Sequence, residues 1–339
     1  MRPLALGPNL LHRFYRGGAR IAELRGIPHE DERSPEDWVG SVTTAFGSRE
    51  EGLTRLDGGG TLAQAMAADP EAFLGPDRAA RHGPDPGLLV KLLDAGERLP
   101  VHFHPGRAFA REHLRSPHGK SEAWFVVGAE GEDPAVNLGL REQVDMATLA
   151  GWVERQDTEA MLAALNRVPV SPGDAIFVPA GVLHAIGEGV FIVEVQEPSD
   201  LSVLLEWQGF EIDGRLEGHL GLGFDTALVA ADRSALAPRD VERLAARREG
   251  DGRPGVERLL PPEADAFFRA ERIRPSPTSP LPQEFSILVV LEGAGRLVTE
   301  SGELELRRGR TALVPYSAGM GQLEGELDVL RCLPSEASA

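Results

Sequence analysis

The feature that most constrains the fold of this chain is a turn-and-strand unit that occurs twice. The first copy, GDAIFVPAGVLHAIG, spans residues 173–187, and the second, GRTALVPYSAGMGQL, spans residues 309–323. Each begins with glycine, continues with a short apolar run and reaches proline after five intervening positions, so that His184 aligns with Met320. Such a repeat predicts two β-sandwich or barrel units of similar construction. The 39 glycines and 26 prolines agree with many short strands joined by tight turns.

The pattern along the chain predicts a mainly β protein with two domains and a small helical insertion. Residues 1–236 form the predicted N-terminal domain, and a switch to helical periodicity at about 142–167 marks the insertion, with Asp157 as an N-cap. Residues 237–257 are charged and end in a glycine-rich stretch, which is typical of a linker. Residues 258–339 form the second β-rich domain.

Charge and composition exclude several classes of function. The chain has 35 basic and 53 acidic residues, a formal charge of −18, and no basic run, so we expect neither a nucleic-acid nor a membrane partner. No apolar run reaches about 18 residues, which is the length of a membrane span. The first residues do not resemble a secretion signal, so we predict a cytoplasmic location. The single Cys332 excludes an intrachain disulfide and a multi-cysteine metal site.

Lysine is rare in this chain. Of the 35 basic residues, 33 are arginine, and only Lys91 and Lys120 are lysine. Lys91 interrupts the apolar strand predicted at 88–95, where an unpartnered lysine is rare. The two lysines either survive by chance or stand where a compact ammonium is needed and a planar guanidinium does not fit.

Three motifs predict a metal site. His102 and His104 in VHFHP are two residues apart and therefore face the same side of a strand. Glu122 begins a further strand in GKSEAWFVV, and the first repeat unit carries the second cupin motif up to His184. Three imidazoles and one carboxylate inside a barrel suit Zn²⁺, and are also compatible with Fe²⁺, Mn²⁺, Ni²⁺ or Co²⁺. Because Met320 replaces the histidine in the second copy, we predict one ion per chain, in the N-terminal domain.

These segments together resemble a known enzyme family. The stretches LLVKLLDAGERLPVHFHP, GKSEAWFVV, NRVPVSPGDAIFVPAGVLHAIGEG and FIVEVQEPSD look like a class I mannose-6-phosphate isomerase, also called phosphomannose isomerase, of the cupin superfamily. The resemblance implies two cupin (jelly-roll β-barrel) units, with a helical insertion in the first. It also implies a zinc-dependent isomerase of carbohydrate metabolism that interconverts mannose 6-phosphate and fructose 6-phosphate by proton transfer through an enediol.

The resemblance carries site residues with it. The implied metal ligands are His102, His104, Glu122 and His184, although the family usually has glutamine where this chain has His102. Lys91 and Lys120 fall at positions that face the substrate and its phosphate in the family. Glu194, in VEVQEPSD, corresponds to a carboxylate that lines the family's active site, so it is either an acid/base group or a structural ion-pair partner of a lysine.

One position departs from the family pattern in a way that concerns the substrate. The family usually carries an arginine four residues after the Ser199-Asp200 pair, where this chain has Leu204. Arg107 and Arg111 follow the His-x-His motif and are candidates to replace its charge. Two alternatives therefore stay open: an isomerase or epimerase of a free or differently substituted sugar, and a metal-bound sugar-binding protein without turnover.

Overall fold

Antiparallel β-sheets dominate the protein. The computed structural model describes residues 1–245 and 252–336. In that part of the chain, the strands are β1 (Leu4–Leu6), β2 (Leu10–Leu11), β3 (Glu36–Val39), β4 (Leu89–Asp94), β5 (His102–Phe103), β6 (Glu122–Ala129), β7 (Ala135–Leu140), β8 (Leu165–Pro169), β9 (Ala175–Val178), β10 (His184–Ile186), β11 (Val190–Gln196), β12 (Val203–Leu204), β13 (Val256–Arg258), β14 (Phe268–Ile273), β15 (Thr278–Leu281), β16 (Ser286–Thr299), β17 (Gly302–Arg307), β18 (Thr311–Val314) and β19 (Gly321–Pro334).

The helices are short and occupy connections between the strands. They are α1 (Ala19–Arg25), α2 (Leu62–Ala68), α3 (Pro70–Leu74), α4 (Pro76–His82), α5 (Arg107–Leu114), α6 (Met146–Arg155), α7 (Thr158–Ala164), α8 (Gly214–Glu217), α9 (Phe224–Ala227) and α10 (Pro238–Leu244), with 3₁₀ turns at Leu228–Ala230, Pro262–Ala266 and Tyr316–Ala318. None of the helices in the described ranges is long and apolar enough to cross a membrane.

The predicted helical insertion contains two of these helices. Helix α6 begins after Asp145, whose side chain accepts a hydrogen bond from the backbone N–H of Thr148. Helix α7 begins after Asp157, the predicted N-cap, which accepts from the N–H of Ala160 in the same way. These side chains satisfy N–H groups that the first helical turn leaves without a partner.

Two sheets form the N-terminal barrel. The six-stranded sheet has the order β2-β3-β4-β11-β6-β9, and the five-stranded sheet has the order β12-β5-β10-β7-β8. Strand β4 is buried at every residue, which explains why its sequence is a continuous apolar run rather than an alternating one. Lys91 is the exception in that run, and the functional site described below supplies its partners.

The third sheet has eight strands and forms the C-terminal barrel. Its main path is β1-β18-β16-β19-β14-β13, with β15 on β19 and β17 on β16. Strand β1 comes from the very start of the chain and pairs with β18, so that Leu4 lies opposite Leu313. Of the predicted linker, residues 246–251 lie outside the described residues, while helix α10 and strand β13 occupy parts of its two ends. The predicted domain boundaries stay a prediction.

Candidate active site and metal centre

Strand β5 brings two of the candidate histidines into the five-stranded sheet. It lies between β10 and β12, with His102 directly opposite His184 on one side and Leu204 on the other. Residues directly opposite each other in an antiparallel pair point to the same face of the sheet. His102, His184 and Leu204 therefore share one face, and the nearby His104 joins the same cluster.

Each of the three imidazoles is held by a backbone carbonyl. The Nδ1 atom of His102 lies 2.8 Å from the oxygen of Pro100, that of His104 lies 2.9 Å from the oxygen of Leu201, and that of His184 lies 2.8 Å from the oxygen of Val182. A carbonyl oxygen only accepts, so Nδ1 carries the proton in each ring and Nε2 keeps its lone pair. This tautomer and this type of backbone contact are typical of metal-binding histidines.

The three histidines form one buried cluster of uncharged rings. They can each offer a ring nitrogen, and these nitrogens lie within 4.8 Å of one another. Burial, together with the nearby Lys120 ammonium, lowers the pKa of His104 to about 3. Burial likewise lowers the pKa of His184 to about 3 and that of His102 well below its usual value. All three rings are therefore neutral at physiological pH, which is the form that binds a metal ion.

Glu122 reaches the cluster from the opposite sheet, on strand β6. Its Oε2 atom lies 3.0 Å from Nε2 of His104, and its Oε1 atom lies 3.4 Å from Nε2 of His184. Trp124 fixes this carboxylate by donating a 2.9 Å hydrogen bond from Nε1 to Oε1.

The site has the properties that a divalent ion requires. The Nε2 atom of His184 is buried without a hydrogen-bond partner, which is costly unless its lone pair is used by a ligand. Three neutral nitrogens and one carboxylate oxygen form a donor set that first-row divalent metals favour. The buried three-histidine group could therefore bind a metal ion, with Glu122 beside it.

Two glycines permit the close backbone approaches that build this site. Gly181, in the second cupin motif, has a φ of +89°, and its N–H donates a 2.7 Å hydrogen bond to the carbonyl of His104. Gly119 has no space for a Cβ atom, which would lie 2.7 Å from the oxygen of Pro105. The backbone N–H of Lys120 bonds the same oxygen, so this contact fixes where the Lys120 side chain begins. Helix α5 occupies most of the stretch between Pro105 and Gly119, where the sequence predicted only an inserted loop.

The inner face of the six-stranded sheet carries the other candidate residues. Glu194 on β11 lies directly opposite Lys91 on β4 and Trp124 on β6. The Oε1 atom of Glu194 is 3.6 Å from Nζ of Lys91 and 3.8 Å from Nζ of Lys120. The Nζ atom of Lys120 also lies 3.0 Å from both Oε2 of Glu122 and Nε2 of His104.

Burial and neighbouring charges shift the pKa values of these groups. Burial, with the adjacent Glu122 charge, raises the pKa of Glu194 to about 7, against the opposing effect of the two lysines. For Lys120, burial alone would lower the pKa, but the Glu122 and Glu194 carboxylates outweigh it and raise the pKa above its usual value. The site therefore holds a carboxyl group that can exchange a proton near neutral pH beside an ammonium that stays charged.

Several of these groups line a single cavity of about 230 Å³, whereas His104 and His184 lie behind its wall. Its walls include Lys91, Lys120, Glu122, Glu194 and His102, and Leu204 contributes apolar surface beside them.

The two arginines proposed to compensate for Leu204 lie elsewhere. Arg107 pairs with the buried Glu197 and stacks on Phe267, and the Arg111 side chain is exposed. Neither is among the residues that line this cavity.

The structure adds cavity residues that the sequence analysis missed. Arg13, Tyr15, Glu36 and Asp200 all line the cavity. Arg13 donates to Oε1 of Glu36 over 3.0 Å and to Oδ1 of Asp200 over 3.0 Å. Arg13 is one of 33 arginines and lies in no motif, so no sequence signal distinguished it.

Comparisons with known proteins agree with this architecture. No protein-family model matches the chain. Mannose-6-phosphate isomerase ManA of Bacillus subtilis is 28% identical over 338 residues, covering 95% of this chain and 96% of that protein. Mannose-6-phosphate isomerase of Streptococcus mutans is 25% identical, covering 94% and 95% of the two chains.

Solved structures give the same result for the fold. The crystal structure of the mannose 6-phosphate isomerase from B. subtilis superposes with a TM-score of 0.76 at 23% identity, covering 98% of this chain and 99% of the other. A mutant phosphomannose isomerase from Salmonella typhimurium gives a TM-score of 0.73 at 17% identity over 98% and 100% of the two chains. The chain resembles mannose-6-phosphate isomerases over nearly its whole length. The predicted mainly β fold of the cupin type is thereby confirmed.

Proposed function

We propose that this protein is a metal-dependent aldose–ketose isomerase that interconverts mannose 6-phosphate and fructose 6-phosphate. The observation that carries the proposal is the cluster in which three neutral imidazoles meet Glu122, next to a cavity lined by His102, Glu122, Glu194 and two lysines. The proposed metal ligands are His102, His104, Glu122 and His184. Zn²⁺ is the proposed ion because its preferred ligands are nitrogen and carboxylate oxygen. The absence of a basic surface run fits a small-molecule substrate in the cytoplasm.

Glu194 is the proposed acid/base residue. Isomerisation requires that a proton leave C2 of the aldose and return to C1, through an enediol, while protons exchange between O1 and O2. The Glu194 carboxylate would accept the C2 proton, and the C–H electron pair would form the C1–C2 double bond of the enediol. The π pair of the C1 carbonyl would move onto O1, which gains a proton as O2 loses one. Its pKa of about 7 suits both taking up and releasing this proton near neutral pH. A divalent ion bound in the site would polarise the sugar oxygens as a Lewis acid.

Lys91 and Lys120 are the proposed partners of the developing negative charge. Their Nζ atoms lie 3.6 and 3.8 Å from Glu194, on the inner face of the same barrel. Ammonium groups in a buried site stabilise an enediolate oxygen more strongly than they would in water. Their positive charges would also stabilise the ionised carboxylate of Glu194.

A second candidate, isomerisation of an unphosphorylated sugar such as mannose, is favoured by one observation. Leu204 lines the cavity next to His102, where the resembled family usually has arginine, so this wall supplies no charge for a phosphate. Steady-state turnover of mannose 6-phosphate and of mannose by the fully metal-loaded protein tests both functions. We expect mannose 6-phosphate to be preferred. Preference for mannose would favour the second function, and turnover of neither sugar would exclude both.

Leu204→Arg is expected to raise kcat/KM for mannose 6-phosphate by about tenfold, with little change for mannose. The new guanidinium would extend from the strand position directly opposite His102, on the face that points into the cavity. One added charge-assisted hydrogen bond to an anionic substrate contributes about 1.5–3 kcal/mol, and part of this gain offsets the free-energy cost of desolvating the buried guanidinium. Steady-state kinetics with both sugars would measure the change.

Leu216→Arg is the matched control for this variant. Leu216 is 71% exposed and is not among the residues that line the cavity, so the substitution adds the same charge in solvent. We expect its kinetics to equal those of the wild type. Equal gains in the two variants would mean that net charge, rather than position 204, governs the use of the phosphorylated sugar.

A further inference from the structure

The cavity contains one cation that neither the motifs nor the proposed chemistry uses. Arg13, Lys91 and Lys120 are the three lysine or arginine side chains among the cavity-lining residues. Lys91 and Lys120 have side chains that are only 2% and 5% exposed, whereas the side chain of Arg13 is 18% exposed. Arg13 is therefore the most accessible of the three charges to a molecule that enters from solvent.

The charged side chains of the cavity form a line that begins at the histidines. Successive members have opposite charge when ionised, and their contact distances range from 3.0 to 3.8 Å. From the metal-ligand end outward, the order is Glu122, Lys120, Glu194, Lys91, Glu36, Arg13 and Asp200. Arg13 is the last cation in this order, five contacts away from Glu122, the carboxylate beside the three histidines.

The outer end of the line lies near solvent. The backbone N–H of Phe46 donates a 3.1 Å hydrogen bond to Oδ2 of Asp200, and Phe46, which lines the same cavity, is 51% exposed. The Arg13–Asp200 pair therefore lies at a solvent-exposed part of the cavity wall, which we call its outer end, whereas His104 and His184 are only 1% exposed and lie behind the wall.

Arg13 is held in place and still has a donor to offer. Its Nε–H donates to Glu36, and its two terminal nitrogens donate to the Asp200 carboxylate. The Nη2 atom donates to both oxygens of Asp200, whereas Nη1 makes one bond to Oδ2. A terminal nitrogen of a guanidinium carries two hydrogens, so Nη1 retains a second N–H after this bond. An arginine fixed by carboxylates in this way loses little side-chain entropy when it binds an anion.

From this placement we infer that Arg13 binds the phosphate group of the substrate. The inference rests on the proposed function and deepens it. A hexose 6-phosphate has its reacting carbons, C1 and C2, at one end and its phosphate at the other. With C1 and C2 beside His102 and Glu194, the phosphate at the far end of the sugar points toward the outer end, where Arg13 supplies a guanidinium.

The charge balance of the cavity makes phosphate binding depend on the metal ion. The lining residues include three cations and five carboxylates, namely the four carboxylates of the line and the exposed Glu217, so without a metal the formal charge is 3 − 5 = −2. A divalent ion changes this sum to 0. Phosphate binding at Arg13 is therefore expected to be stronger in the metal-loaded protein.

The test compares phosphorylated and unphosphorylated ligands in Arg13→Ala and Arg13→Lys. For Arg13→Ala we expect KM for mannose 6-phosphate to rise on the order of 10- to 100-fold, with kcat and the KM for mannose changed less than about threefold. Arg13→Lys keeps the charge that balances Glu36 and Asp200, so it is expected to fold even if Arg13→Ala does not. Arg13→Lys should also raise the KM for mannose 6-phosphate, because an ammonium lacks the planar donors of a guanidinium. The factor should be smaller than for Arg13→Ala, because the positive charge is kept.

A binding measurement separates this inference from the proposed function. Mannitol 1-phosphate and mannitol have no carbonyl group and cannot isomerise, so calorimetry with the metal-loaded protein reports binding alone. We expect Arg13→Lys to weaken binding of mannitol 1-phosphate and leave that of mannitol unchanged. An equal loss for both ligands, or for neither, would overturn the role of Arg13, whether or not the wild type turns over mannose 6-phosphate.

Arg20→Ala is the matched control. Arg20 also lies near the N-terminus and pairs with a buried carboxylate, Asp94, and its side chain is 14% exposed. It is not among the residues that line the cavity. We expect Arg20→Ala to lower the melting temperature without changing the ratio of affinities for mannitol 1-phosphate and mannitol. A change in that ratio equal to the one in Arg13→Ala would attribute the effect to lost stability and overturn the inference.

Discussion

Replacing His184 by alanine is expected to remove tightly bound metal and to lower kcat for mannose 6-phosphate by about a thousandfold or more. The remaining ligands would compete poorly with water for the ion. A bound Lewis acid stabilises a charged transition state by several kcal/mol, and each 1.4 kcal/mol corresponds to a factor of ten in rate. Elemental analysis after dialysis against metal-free buffer would measure the metal content, and steady-state kinetics would measure kcat.

His118→Ala is the control for the loss of one imidazole. His118 pairs with Asp85 over 2.6 Å and is not among the residues that line the cavity. We expect this variant to keep one ion per chain and an unchanged kcat. A His184→Ala protein that retains a full complement of metal and normal turnover would contradict the proposed ligand set. Two ions per chain in the wild type would contradict the prediction of a single site.

The positions of the motif residues could be predicted because strand geometry is local. The two-residue spacing of His102 and His104 fixes their common face, and the turn before His184 requires glycine at position 181, which has positive φ. Lys91 was recognisable for a different reason. A lysine inside a continuous apolar strand must find counter-charges, and it finds them in Glu36 and Glu194.

Other parts of the fold and site depend on contacts between distant segments, which carry no local signal. Strand β1 pairs with β18, more than 300 residues away in sequence, although nothing in its three residues indicates a partner in the second barrel. Arg13 enters the cavity through pairs with Glu36 and Asp200, which lie 23 and 187 residues further along the chain. The arginines expected to compensate for Leu204 follow the histidine motif, whereas the arginine that lines the cavity comes from the N-terminal segment.

Glu194→Gln is expected to lower kcat for mannose 6-phosphate by about 10²- to 10⁴-fold while the metal content stays at the wild-type level. Gln keeps the shape of the side chain but cannot accept the C2 proton, and loss of a general base has effects of this size. The fold should persist, because Lys91 keeps its contact with Glu36 and Lys120 keeps its contact with Glu122. Loss of the C2 hydrogen of mannose 6-phosphate to D₂O, followed by NMR, would measure the proton-transfer step directly.

The competing interpretation, in which Glu194 serves only as an ion-pair partner, predicts a different result. Removing a structural charge would lower the melting temperature and leave exchange of the C2 hydrogen largely intact. Glu271→Gln calibrates that outcome, because Glu271 is also buried and pairs with Arg331 in the other barrel, outside the cavity. If Glu194→Gln loses stability as Glu271→Gln does but still exchanges the C2 hydrogen, a different group removes the proton. If exchange stops while the melting temperature and metal content are retained, Glu194 is the base, since no other change in the variant affects the reacting carbon.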